Sequence, residues 1–204
     1  MGIYGEQVLP RLVDLTCGAS ALDRSRSRVA EGLEGTIVEI GFGSGLNVPL
    51  YPSTITKVFA VEPAELGRKL ASKRIDASPI PIEHIGLDGQ SLPLEDNSCD
   101  GALCTFTLCT IPDVEAALAE LRRVLKPGGR FHFLEHGLAQ DPKVAKRQQQ
   151  FDPFQVRFAG GCHLTRDPAQ LVQAAGFQIE DVSSRFGKGP KAWSWFTEGK
   201  AVNP

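Results

Sequence analysis

The 204-residue chain carries no excess of charge of either sign: 22 basic residues stand against 24 acidic ones, for a formal net charge of −2. Without a basic excess there is no general attraction for a polyanion, so no nucleic acid partner is expected. The one local basic cluster, Lys143, Lys146 and Arg147, reads as a solvated helix face. Long hydrophobic runs are missing too, since nothing approaches the roughly 18 consecutive apolar residues of a membrane span. Met1–Pro10 shows no apolar stretch behind a basic start, so no signal peptide is expected. Cysteine is sparse and odd in number: Cys17, Cys99, Cys104, Cys109 and Cys162, with no C-x-x-C pair. That argues against a disulfide framework and a zinc ribbon, and no metal is expected. Free thiols point to a reducing compartment, and hence to a cytoplasmic protein. No internal repeat or low-complexity linker divides the chain, so residues 1–204 are read as one domain.

What is present is an alternation of strand and helix patterns. Thr36–Ile40, Lys57–Val61, Ile80–Ile85, Cys99–Cys104 and Arg130–Leu134 read as strands. Helical stretches fall at about Ala64–Ile75 and at Val114–Leu125, where Val114, Ala117, Leu118, Leu121, Val124 and Leu125 share one side. Lys126-Pro127-Gly128-Gly129 breaks the latter helix. Within residues 1–34, Val8–Ala30 reads as two short helices separated at Gly18. Gln140–Phe154 reads as a polar helix ending near Pro153, and Pro168–Ala175 as a short helix closed by Gly176. Gln178–Val182 and Trp193–Val202 read as an antiparallel edge pair, with Trp193 and Trp195 on one face. Such β-α-β order implies an α/β fold with a mostly parallel sheet covered on both faces. Ligands of these sheets bind beyond the carboxyl ends of the strands, where strand order reverses.

The sharpest motif lies at the first of those ends. Glu39-Ile40-Gly41-Phe42-Gly43-Ser44-Gly45 sits at an expected strand-to-helix turn, where glycines let backbone approach a ligand without a Cβ clash. Glu62 lies 21 residues beyond Gly41, the spacing at which an acid accepts hydrogen bonds from the two ribose hydroxyls of an adenosine. The dinucleotide fingerprint would need a third glycine where Leu46 stands, and a carboxylate at Glu39 would repel a pyrophosphate. A cationic, phosphate-free cofactor tolerates that acid. After the third strand, Asp88 is positioned for an adenine amino group and the Gly89 amide for a ring nitrogen.

Beyond these local readings, the stretches Val38–Gly45, Leu92–Asp100 (LPLEDNSCD) and Arg123–Gly129 (RVLKPGG) resemble the recurring signatures of class I S-adenosylmethionine-dependent methyltransferases. The resemblance covers about Thr36 to Leu134. It implies a Rossmann-like three-layer αβα sandwich with seven strands, S-adenosylmethionine as cofactor and S-adenosylhomocysteine as product. By position, Glu39, Gly41, Gly43, Ser44, Gly45 and Asn47 would cradle the methionine part. Glu62 and Pro63 would meet the ribose, and Asp88, Gly89 and Gln90 the adenine, while Thr105 and Phe106 would line the methionine end. A narrower resemblance, in Cys104–Cys109 (CTFTLC), Leu134-Glu135-His136, Gln148–Pro153 (QQQFDP), Gly161–Arg166 (GCHLTR) and Gly199–Val202, is to the alkyl thiol methyltransferase-like proteins. Those carry an N-terminal membrane-associating segment that this sequence does not display, which leaves contact with a membrane surface and the acceptor open.

Methyl transfer from a sulfonium needs chiefly alignment and exclusion of water, and a base only if the nucleophile arrives protonated. Glu135 and His136, after the fifth strand, are the candidates for that base, or else a turn cap and a pocket wall. Residues 138–166, with Asp152 and His163, are expected to fold over the acceptor as a lid. Cys104 and Cys109 read as buried packing. No Asn-Pro-Pro-Tyr tetrad follows the fourth strand, which weighs against methylation of a nucleobase or protein amide nitrogen. The expected acceptor is a small thiol or phenol. The alternatives are a phospholipid or quinone, or a module that binds the cofactor without turnover, and the oligomeric state is open.

Overall fold

The strands are short runs rich in β-branched and apolar residues, and they assemble into one sheet. In a computed structural model, residues 8–18 and 20–204 are described; the reading of residues 1–7 as free of a signal peptide lies outside them. The strands are β1 (Gly35–Ile40), β2 (Ile55–Val61), β3 (Ile82–Gly86), β4 (Cys99–Thr105), β5 (Leu125–His136), β6 (Gln178–Phe186) and β7 (Trp195–Val202). The helices are α1 (Leu9–Cys17), α2 (Ser20–Ala30), α3 (Glu65–Asp76), α4 (Val114–Val124), α5 (Pro142–Phe158) and α6 (Pro168–Ala174). The sheet has seven strands in the order β3-β2-β1-β4-β5-β7-β6. Pairing is parallel from β3 through β5, and β7 is antiparallel to both β5 and β6. Strand order reverses between β1 and β4, which makes the carboxyl ends of those two strands the binding edge.

Period-two alternation divides the core. Val38 and Ile40 of β1, Cys104 of β4, and Phe131 and Phe133 of β5 face the side covered by α4 and α6. Ile37, Leu103 and Leu134 face the other side, with Val29 of α2 and Ala71 of α3. By the same alternation Glu39 and Thr105 fall on the α2 side and Glu135 on the α4 side. The α4 residues Val114, Ala117, Leu118, Leu121 and Val124 are all buried, at the expected helical spacing. Asp113 caps the helix by accepting from the Ala116 amide.

Four local expectations are corrected. No α-helix follows the glycine loop: Pro49 and Pro52 lack amide hydrogens, and only the 3-10 turn Val48–Leu50 forms before β2. Lys126–Gly129 does not interrupt the chain between α4 and the strand but lies inside β5. There the register jumps from Cys99↔Leu125 to Gly101↔Arg130 and the extra residues bulge out, with Gly128 at φ +77°. Helix α5 runs through Pro153 to Phe158; the residue four back, Gln149, is exposed, so water can satisfy its freed carbonyl. Trp193 is not on the edge strand but in the 3-10 turn Lys191–Trp193, its ring 5.6 Å from that of Phe151.

The two kinds of α4 contact differ in worth. Leu121→Ala leaves a cavity at a fully buried site and is expected to cost about 2–5 kcal/mol. Asp113→Ala removes only a cap, at about 1 kcal/mol. Urea denaturation of the two variants beside wild type checks the order.

Candidate functional site

A cavity of about 1110 Å³ opens beside the carboxyl ends of β1, β2 and β4. Gly41, Gly43, Ser44, Asn47, Glu62, Pro63, Thr105 and Phe106 line it, eight of the residues expected to hold the cofactor. The backbone of the glycine loop can come this close only because of its conformation. Gly41 and Gly43 have φ of +73° and +57°, and a Cβ at Gly41 would meet the Thr107 side chain 1.9 Å away.

Glu62, at the end of β2, accepts the Gly43 amide at 2.7 Å on one oxygen and the Ala64 amide at 2.8 Å on the other. Burial raises its pKa above the ordinary carboxylate value, against those two hydrogen bonds. It thereby ties the glycine loop to the start of α3 and presents its carboxylate to the cavity. Cations of α3 and acids of α1 continue the wall: Arg74 donates to the Ser44 carbonyl at 2.8 Å, and Asp14 accepts from the Ser44 hydroxyl.

Behind the loop lies a buried polar network that no motif announces. Asn47 Nδ2 donates to Glu39 at 2.8 Å and to Thr105 at 3.0 Å, and Arg26 of α2 donates to Asn47 at 2.8 Å and to Thr105 at 2.9 Å. Tyr51 donates its hydroxyl to the second Glu39 oxygen. Glu39 itself is 1% exposed and does not line the cavity; it holds Asn47, which does. Gly45 lies behind the wall as well. Burial pushes the Glu39 carboxyl up to about 7, against the hydrogen bonds from Tyr51 and Asn47 and the charge of Arg26. Phe106 closes this corner in the left-handed region at φ +57°, under the Arg26 guanidinium 5.3 Å from its ring. A non-glycine residue held there marks local strain, of the kind that gathers at binding sites.

Asp88, Gly89 and Gln90 stand apart from the cavity on an exposed loop. Asp88 accepts from the Gln90 side chain and the Gln90 backbone amide, both at 2.8 Å, and the two hydrogen bonds, chiefly the side-chain one, lower its pKa. The loop does press on β1, since a Cβ at Gly89 would lie 2.7 Å from Ile40. Glu135 and His136 also lie outside the lining. Glu135 is fully buried and accepts the Thr107 and Leu108 amides at 2.8 and 3.0 Å, which shapes the loop after β4; its other oxygen has no partner. Burial lifts its pKa to about 7. His136 Nε2 meets Cys162 Sγ at 2.8 Å, and Cys162 lies 3.5 Å from Cys109. Cys104 is wholly buried in the core, as packing requires. Asp152 pairs with His163 at 3.1 Å and accepts the Leu164 amide, and Arg157, Ala159 and Gly160 of the segment 138–166 reach the cavity rim. Sequence reasoning missed Arg26, Cys17, Thr107, Thr110 and the α1 residues Pro10, Val13 and Asp14, all on the wall. Of these only Thr107 sits in a quoted motif, Cys104–Cys109, and no sequence signal singles out Arg26.

A carboxyl raised from 4.5 to about 7 favours the native state fully below its unfolded value, and that contribution is lost as pH rises through about 7. Glu39→Gln keeps an acceptor for Asn47 and removes the ionisation. Relative to wild type, its melting temperature is therefore expected to gain between pH 5 and pH 8, within a ceiling of about 3 kcal/mol. Scanning calorimetry at both pH values reads this difference.

Comparison with known proteins agrees with this geometry. The family profile described as "Methyltransferase domain" matches residues 38–133, which holds β1 through most of β5 and the glycine loop. Thiol S-methyltransferase TMT1B of Rattus norvegicus is 32% identical over 164 residues, covering 78% of this chain and 66% of that protein. Thiol S-methyltransferase TMT1A of Homo sapiens is 32% identical over 146 residues, covering 70% of this chain and 59% of that protein. The chain thus spans about six tenths to two thirds of the length of these curated relatives. The crystal structure of a SAM-dependent methyltransferase from Aquifex aeolicus superposes with a TM-score of 0.67 at 18% identity, covering 96% of this chain and 98% of that one, and shows the shared fold. With a seven-stranded Rossmann-like sheet, a G-x-G-x-G loop and an acid at the end of β2 on one cavity wall, the chain carries an S-adenosylmethionine-dependent methyltransferase domain.

Proposed function

We propose that this protein transfers the methyl group of S-adenosylmethionine to the sulfur of a small apolar thiol in a reducing, cytoplasmic setting. The cavity carries the reading. At about 1110 Å³ it exceeds the roughly 300–1000 Å³ of a pocket for one drug-sized ligand, which leaves room for cofactor and acceptor together. Glu62 supplies two carboxylate oxygens at the ribose position, and the backbone of Gly41 and Gly43 lets the cofactor lie close to β1. Asn47 and Thr105, held by Glu39 and Arg26, offer polar atoms at the amino-acid end. Phe106 and the side chains of Thr107 and Thr110 border the rest, a wall suited to an apolar acceptor. The thiol class rests on the names of the relatives, and all five cysteines of the protein are free, as a reducing compartment requires.

The residues do little covalent work in such a transfer. The cofactor, once bound, supplies an activated methyl group; the chain binds it, excludes water and aligns the incoming sulfur. Glu135 orders the Thr107–Leu108 backbone beside the acceptor space and is a positioning residue. His136, next to Glu135 at the end of β5, is held by Cys162 and stands outside the cavity lining, so the thiol proton passes to solvent.

A membrane-borne acceptor is the second reading. Phe151, Phe154 and Phe158 on α5 are 46%, 64% and 46% exposed, and Trp193 joins them. Among the described residues no helix is long and apolar enough to cross a membrane, so this reading involves contact with a surface. Co-sedimentation with vesicles, absent for an enzyme of soluble thiols, separates the two.

Glu62→Ala removes both acceptor oxygens and is expected to weaken S-adenosylhomocysteine binding at least about a hundredfold, since charge-assisted hydrogen bonds contribute about 1.5–3 kcal/mol each. Calorimetry on wild type and variant reads the affinity, and radiolabelled methyl transfer to alkane thiols and phenols reads the reaction. Unchanged affinity in the variant removes Glu62 from the cofactor site. Binding without transfer to any acceptor points to a sensing module instead.

A further inference from the structure

Three loops that share no sequence motif bring two sulfurs and an imidazole to one point. Cys109 comes from the loop after β4, His136 from the end of β5, and Cys162 from the loop after α5. Cys109 Sγ, Cys162 Sγ and a His136 ring nitrogen all lie within 4.8 Å of one another. The Cys109–Cys162 separation is 3.5 Å and that from Cys162 to His136 Nε2 is 2.8 Å. The backbone makes this convergence rigid. The His163 amide donates to the Cys109 carbonyl at 2.8 Å, Asp152 accepts from the Leu164 amide, and Arg166 donates to the carbonyls of Leu108 and Ile111. These ties hold the Cys109 and Cys162 loops together from both sides.

We infer that Cys109, His136 and Cys162 form a three-ligand site for a thiophilic divalent cation of the zinc class, with its fourth position open to the acceptor thiol. Two thiolates and one imidazole are a donor set that such ions favour over oxygen-seeking ones. With metal–sulfur bonds of about 2.3 Å and metal–nitrogen bonds of about 2.0 Å, tetrahedral ligands stand about 3.5–3.8 Å apart. The two sulfurs, 3.5 Å apart, would part by about 0.3 Å to reach the sulfur–sulfur spacing, and His136 would retreat from Cys162 by less than about 1 Å. The site adjoins the cavity: Thr107 and Thr110 flank Cys109 in sequence and line the wall, as do Ala159 and Gly160 just before Cys162. Three protein ligands with a vacant fourth position is the pattern of a reactive site rather than a structural one.

The acceptor role rests on the thiol reading above. A thiol entering the fourth position gives up its proton to solvent and binds as thiolate. Its sulfur then forms a bond to the methyl carbon while the bond from that carbon to the sulfonium breaks. The electron pair stays on the departing sulfur, which yields neutral S-adenosylhomocysteine. The product thioether is a weaker ligand and leaves.

The test is cobalt(II) titration of the reduced full-length chain under anaerobic conditions, followed by optical absorption. The expected result is one equivalent bound, with a near-ultraviolet thiolate-to-cobalt band and tetrahedral visible bands that shift when an alkane thiol is added. The bands should vanish in Cys162→Ser, Cys109→Ser and His136→Ala and persist in Cys99→Ala, a buried thiol at the opposite end of β4. Reversible loss on chelation of the wild type keeps the test independent of how the variants fold. Absence of the band, or recovery of a Cys109–Cys162 disulfide from reduced preparations, overturns the metal site. A band indifferent to thiol overturns the acceptor role. Calorimetry of S-adenosylhomocysteine on the same samples keeps the outcomes separate, because retained binding without cobalt removes the metal and leaves the methyltransferase reading intact.

Discussion

The arrangement depends on burying the carboxyl of Glu39 at the end of the central strand. A carboxylate taken out of water is costly unless its oxygens are occupied, and here Asn47 and Tyr51 occupy both. That requirement draws the segment after the glycine loop back over β1 and fixes Asn47 against Thr105 on the adjacent strand. Arg26 then has to come from α2 to meet the same cluster, so the N-terminal helices are anchored by charge as well as by Val29 and Leu33. The cavity wall is in this sense the outer surface of a buried polar cluster. Within it the side chains of Glu39, Asn47 and Thr105 are all hydrogen-bonded, while the Nε of Arg26 is left without a partner.

The strand alternation then splits the edge into two chemical halves. On the face toward α2, Thr105 of β4 lines the cavity and Glu39 of β1 stands behind its wall. Glu135, on the opposite face of β5, turns toward the loop after β4 and binds its amides. The two halves meet at Thr105–Thr110, where one short loop runs from the Arg26 network to the thiol and imidazole cluster. Phe106 bridges them in its left-handed conformation, with the Arg26 guanidinium over its ring and Phe196 meeting it edge to face.

Much of this was legible in the chain itself, because the signals were local. The β-branched runs marked the strands, the α4 stripe marked its buried face, and G-x-G-x-G with Glu62 marked the edge where the cavity opens. The misreadings have physical causes. Pro49 and Pro52 remove the helix that ordinarily follows such a loop, whereas Pro153 fails to end α5 because its neighbours face water. The glycine-rich turn before Arg130 is absorbed as a bulge within β5. Arg26 carried no signal, and Cys109, His136 and Cys162 showed only as members of three separate stretches, because their meaning as a group lies in contacts between residues far apart in sequence. Asp88 shows the reverse limit: a turn placed correctly at the strand end need not face the cavity.

The cavity takes its walls from α1, α2 and α3, from the loops after β1, β2 and β4, and from the end of α5, so residues from Pro10 to Gly160 must be in place before it exists. A ligand that binds there binds only the completed chain and shifts the folding equilibrium of all of it. At a concentration a hundred times its dissociation constant, that shift is about 2.7 kcal/mol. Such an amount is a sizeable part of the stability of an ordinary domain. The cellular supply of the methyl donor therefore enters the lifetime of the protein as well as the rate of its reaction, and depletion lowers abundance and activity together.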